Sequence, residues 1–78
     1  MVDWRNYLVG DAAVCGGQLR ATGTRVLVAN ILDSLAEGDS REAVLHSYPT
    51  LQSAHVEAAL AYAAELAREE ALLPPADR

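Results

Sequence analysis

Cys15, His46 and His55 are the side chains that could supply a nucleophile, a base or a soft metal ligand, and their spacing suits none of these tasks. Such chemistry needs groups that converge, either at close positions on one element or in a recognisable ligand pattern. Here the thiol stands alone beside Gly16-Gly17, and the two histidines fall on different helical segments. They read as packing and surface. Asp33 with Glu37, and Glu65 with Glu69, are carboxylate pairs at helical i, i+4 spacing, the pattern of a wet, solubilising helix face rather than of an acid–base dyad. Gly16-Gly17 lacks the Gly-Lys-Ser or Gly-Lys-Thr that completes a phosphate loop. The expectation is a protein that is not an enzyme and that uses no cofactor and no metal.

What remains is recognition. Gly23-Thr24-Arg25-Val26 joins a flexible turn residue, a hydroxyl that can satisfy nearby backbone, and a guanidinium with a rigid five-donor fork. Read structurally, Arg25 is a hydrogen-bonding partner for a carboxylate or a carbonyl. Read functionally, Arg20 and Arg25 are candidate DNA contacts. The net charge of −5 opposes generic nucleic-acid binding, which is driven by phosphate neutralisation. Its distribution softens the objection. Residues 1 to 30 carry Arg5, Arg20 and Arg25 against Asp3 and Asp11, while the rest of the chain carries nine acids against Arg41, Arg68 and Arg78.

The elements that must position these residues follow from periodicity. Residues 4–9, aromatic and β-favouring and ending at Gly10-Asp11, read as a short strand, with a second expected over 24–28. Strands this short are marginal alone, so they must rest on helices or be exchanged with a second copy. Ile31, Leu32, Leu35 and Ala36 mark a helix over 29–37 that stops at Gly38. Ser40 caps a second helix over 40–48, with Glu42 in its first turn and Val44, Leu45 and Tyr48 on its buried face, and Pro49 ends it. A third helix over 53–72 starts with a Leu51/Val56 staple around Gln52. Two prolines leave a tail at 74–78. The layout is mainly α: a tri-helical, helix-turn-helix-like (homeodomain-like) domain with a short N-terminal β-ribbon.

In such a motif the second helix opens on the base-reading side chains, here Gln52, Ser53, His55 and Glu57. Gln52 has the chemistry to read adenine, and Ser53 and His55 to touch phosphate. Against this, the segment carries no arginine or lysine, and Glu57 repels phosphate. A solvated helix surface is the reading that charge favours.

A chain of 78 residues without phenylalanine buries only about 60 to 65% of its unfolded surface, so a homodimer is expected to supply the missing core. No run approaches the length of a membrane span, no signal peptide is apparent, and a single cysteine fits a reducing compartment. A bacterial cytoplasmic protein is expected.

Taken in order, Cys15-Gly16-Gly17, Gly23-Thr24-Arg25-Val26, Leu35-Ala36-Glu37-Gly38, Ser40 to Pro49 and Ala58 to Ala64 resemble a family of small bacterial proteins. It is catalogued as domain of unknown function 433 and is similar to VapB-like antitoxins. The resemblance covers about residues 10 to 70 and implies a helix-turn-helix-like domain in toxin–antitoxin operons, often beside a PIN-like nuclease toxin. It implies that the chain binds and inhibits that nuclease, with Arg68, Leu72, Leu73 and Arg78 as toxin-contacting residues at the C-terminal end. An inserted arginine would there neutralise metal-binding carboxylates. Operator DNA is the second implied partner. The alternatives are a stand-alone DNA-binding regulator and an adaptor without nucleic-acid binding. Departures from the family pattern fall at Gln18-Leu19, where Lys-Pro is usual, and at Ala21 and Thr22. Two helix caps also differ: Ala29 replaces a serine, leaving Asn30 as substitute, and Gln52 replaces a threonine, which moves the cap toward Ser53 or Thr50.

Overall fold

The computed structural model of the chain describes residues 2–10 and 18–69. The first segment departs from the expected strand because Asp3 captures it. The Asp3 carboxylate accepts from the Arg5 amide at 3.1 Å, and the Asp3 carbonyl from the Asn6 amide at 3.1 Å, which winds Trp4–Asn6 into a 3₁₀ turn. Only Leu8–Gly10 is extended, forming β1. Its partner is β2, Leu19–Ala21, in antiparallel register with Leu8 opposite Ala21 and Gly10 opposite Leu19. The ribbon is therefore closed within one chain. The second strand precedes the expected 24–28 segment. That segment contributes one isolated bridge, Leu27 opposite Arg20, where the chain folds back along β2.

Helix α1, Val28–Ala36, begins after Leu27, which offers no side-chain cap; neither Ala29 nor Asn30 occupies the capping position. Its end is better determined. The Gly38 amide donates to the Leu35 carbonyl and the Asp39 amide to the Ser34 carbonyl, both at 3.1 Å, with Gly38 at φ +103°. These are the paired hydrogen bonds of a Schellman stop, and they need a residue that tolerates positive φ. Helix α2, Arg41–Ser47, starts on Ser40, whose Oγ accepts from the Ala43 amide at 3.0 Å, with Glu42 in the first turn. Helix α3 spans Ser53–Glu69. The described residues are mainly helical: they form three α-helices and a two-stranded antiparallel sheet.

The three helices pack on one another, and α1 also rests on β2. Ile31, Val44 and Val56, one from each helix, are the largest fully buried side chains. Leu8, Ala21, Val28, Leu51, Ala58 and Ala59 complete the core, so both residues of the Leu51/Val56 staple lie inside it. Among the described residues no helix is long and apolar enough to cross a membrane.

The 3₁₀ turn is clasped to α3. Trp4 Nε1 donates to Glu65 Oε1 at 2.9 Å, Arg5 Nη2 donates to Glu65 Oε2 at 3.1 Å, and the Arg5 guanidinium lies 4.4 Å from the Trp4 ring centre. Tyr62 meets the indole edge-on at 4.9 Å. The Trp4 hydrogen bond holds the Glu65 carboxyl below its ordinary pKa of 4.5, outweighing the partial desolvation that opposes it; Arg5 and Arg68 add to the lowering. A carboxyl with a depressed folded-state pKa contributes stability that is fully present above its unfolded value. That stability is lost as pH falls through the folded one. Glu65→Gln is thus expected to flatten the decline of Tm on acidification below about pH 4.5. Thermal melts across that window check it, and equal slopes for the two proteins would contradict it.

Candidate nucleic-acid interface

Between β2 and α1 the chain turns on Ala21-Thr22-Gly23-Thr24. The Thr24 amide donates to the Ala21 carbonyl at 3.0 Å, and Gly23 takes φ +81° at the third position, where a type II turn requires positive φ. The Thr24 hydroxyl then works in both directions: it donates to the Ala21 carbonyl at 2.9 Å and accepts from the Val26 amide at 3.0 Å. Thr24 is buried in the process. The Gly-Thr pair is thus a backbone device that fixes where Arg25 leaves the turn.

The two arginines divide their roles otherwise than the sequence suggests. Arg20, on β2, is the structural one: Nη1 donates to the Thr24 carbonyl at 3.2 Å, and its buried Nε has no partner among the described residues. Arg25 is exposed and makes no hydrogen bond or ion pair among the described residues. Expected to brace a carboxylate or carbonyl, it instead projects from the turn. Arg20 reaches the turn because it stands on β2, four residues before the Thr24 carbonyl that it holds.

Both arginines line an open cleft of about 820 Å³. Its other walls include Val26 and Asn30 at the start of α1, and Tyr48 and Thr50 in the link between α2 and α3. Among the described residues no carboxylate lines it. In a chain of net charge −5, this is a locally cationic surface, and it touches the turn of the α2–α3 unit. The uncapped start of α1 adds the positive end of a helix dipole to the same side.

The start of α3 is organised by His55. Its Nδ1 accepts from the Gln52 amide at 3.0 Å, while the His55 amide donates to the Gln52 carbonyl at 2.9 Å. This is the reach-back half of a capping box, with histidine in the place of Glu or Gln. His55 is only 6% exposed and stands edge-on to Tyr7 at 6.2 Å. The phosphate contact expected of it gives way to a structural cap, since its accepting nitrogen is occupied and its ring is inside. Gln52 and Ser53 are exposed. Glu57 is exposed too, with Arg41 at 3.6 Å. A pair so open to solvent offsets the local negative charge more than it stabilises the fold. The Gln52–His55 spacing was the signal available in the sequence. His55→Gln, which preserves the reach-back, is expected to cost under about 1 kcal/mol, and His55→Ala about 2 kcal/mol, from the lost cap and the void. Urea unfolding of both variants checks this; equal losses would exclude the capping role.

At the far end of α3, Arg68 is exposed, and Leu66 is the large apolar residue most open to solvent among the described residues, at 43%. The remaining toxin-contact candidates, Leu72, Leu73 and Arg78, lie outside the described residues, as do Cys15, Gly16-Gly17 and the 74–78 tail. His46 is exposed in the last turn of α2.

No curated protein and no solved structure matches the chain. A family model described as protein of unknown function (DUF433) matches residues 9–63, which takes in the ribbon, the Gly-Thr-Arg turn, α1, α2 and the first part of α3. The chain belongs to the DUF433 family.

Proposed function

We propose that this domain is an antitoxin-type DNA-binding module whose operator-facing surface is the arginine-lined cleft and the adjoining start of α3. The observation that carries the reading is the cleft: two arginines and, among the described residues, no carboxylate beside the α2–α3 turn of an otherwise acidic chain. Arg25 and Thr50 have the chemistry to hold backbone phosphates, and Gln52 and Ser53, both exposed, to meet base edges. A second copy, packing on the face that holds Leu60, Ala61 and Ala64 beside Val2, would give the two-fold symmetry such modules use to span two half-sites. The test is a gel shift on the gene's own promoter at low salt, where phosphate contacts are strongest. A shift abolished by excess promoter but not by unrelated duplex supports the reading; no shift removes it.

The nuclease-binding function is favoured by a different observation, the exposed Leu66 beside Arg68 at the end of α3. An apolar anchor followed by a cation suits the seating of a helix end on a nuclease whose metal is held by acids. Co-expression with the product of the adjacent gene, followed by pull-down and an RNase assay, tests it. Co-purification with suppressed activity is the expected result, and failure to associate would leave the cleft as the functional surface.

A further inference from the structure

Arg20 is costly where it stands. Its Nε is shut off from water without a partner, while the only hydrogen bond that its guanidinium makes among the described residues is the one from Nη1 to the Thr24 carbonyl. Since Nε itself is closed to solvent, an anion in the cleft would meet the remaining Nη–H groups, and its charge would offset the partial desolvation of the guanidinium. Thr24 also sets its orientation: the hydroxyl of the same residue is locked between the Ala21 carbonyl and the Val26 amide, so the carbonyl that holds Arg20 is itself fixed. Arg25 is exposed on the same cleft, which Thr50 and Asn30 also line, each with a side chain that can donate. A fixed cation, an exposed cation and two neutral donors, with no carboxylate among the described residues that line the cleft, form a set matched to one tetrahedral oxyanion.

We propose that the cleft is a single-phosphate site in which Arg20 is the pre-set donor and Arg25 closes on the anion from the turn. This rests on the reading of the cleft as the DNA-facing surface for one of its two sources, a backbone phosphodiester; the other source, free inorganic phosphate, presents the same oxygens. The site gives the acidic chain a definite anchor for one phosphate, which sets register without reading sequence.

Nuclear magnetic resonance of the full ¹⁵N-labelled chain tests it, with inorganic phosphate as one probe and a duplex of the gene's promoter as the other, at matched ionic strength. Phosphate is expected to produce saturable shifts confined to the Arg20 side-chain N–H and the Thr24, Val26 and Asn30 amides. Arg25→Gln, an exposed change that leaves the core untouched, is expected to weaken that binding at least about tenfold. Arg20→Lys, which retains charge but loses the fork, is expected to weaken it as well. If the duplex moves the same resonances and phosphate competes with it, the site serves a backbone phosphate. If phosphate saturates the cleft while the duplex leaves it unmoved, the proposal stands for free phosphate and the DNA reading falls. Linear shifts scattered over the surface, equal with chloride and unchanged in Arg25→Gln, would overturn the phosphate site. A duplex that still bound in that case would leave the DNA reading intact on another face.

Discussion

Ile31→Ala is expected to leave a large fraction of the protein unfolded at 25 °C in the absence of denaturant. Ile31 is fully buried at the centre of α1 and belongs to the cluster that joins all three helices. Truncating a buried isoleucine to alanine costs about 2–5 kcal/mol, the transfer term plus the cavity. A single core in a chain this short supplies only about 3–5 kcal/mol in total. Alanine already occupies three of the nine core positions, so few large neighbours can move into the void. Leu35→Ala, on the same helix but only half-buried, is expected to be tolerated better. Circular dichroism with urea titration of the two variants checks the ranking. A loss below about 1 kcal/mol for Ile31→Ala would mean that the helices do not share one core.

Arg25→Glu is expected to weaken promoter binding by roughly a hundredfold at low salt while leaving the urea midpoint unchanged. The separation of effects follows from its position. Arg25 is exposed, it has no partner among the described residues, and the turn from which it projects is held by Gly23 and Thr24 without its help. Reversing its charge places a carboxylate on a cleft that has none among the described residues. Arg68→Glu serves as the comparison, since it makes the same charge change at the far end of α3 and bears on the nuclease reading instead. Fluorescence anisotropy with labelled duplex measures both. Equal effects of the two substitutions would show that binding responds to overall charge and not to the cleft.

Much of the helical layout was legible because its signals are local. Gly38, Ser40, Pro49 and the Leu51/Val56 pair each act within a turn of the residue that carries them, and α1 and α2 begin and end, and α3 begins, within a residue or so of where these place them. The ribbon was less legible. Trp4-Arg5-Asn6 has the composition of a strand, yet the carboxylate of Asp3, one residue earlier, captures the Arg5 amide and winds the segment. Val26 and Leu27 have the β-favouring side chains, but the pairing with β1 falls at Leu19–Ala21, because a positive-φ turn at Gly23 folds the later residues back along β2. That shift exchanges the roles of the arginines. A strand after the turn would make Arg25 the brace, whereas the brace is Arg20, and Arg25 is left open on the cleft. His55 was misjudged for a related reason. Helical position alone put it at the opening of a recognition helix, and only the packing of Tyr7 and the Gln52 amide against it reveals a cap.

The most direct measurement is the salt dependence of promoter binding by the wild-type chain and by Arg25→Gln. Each phosphate contact released contributes close to one unit to the slope of log affinity against log salt. The cleft predicts binding that weakens steeply with salt in the wild type, and a slope shallower by about one in Arg25→Gln. An unchanged slope, or no binding by the wild type even at the lowest salt, would contradict the assignment of this surface to DNA.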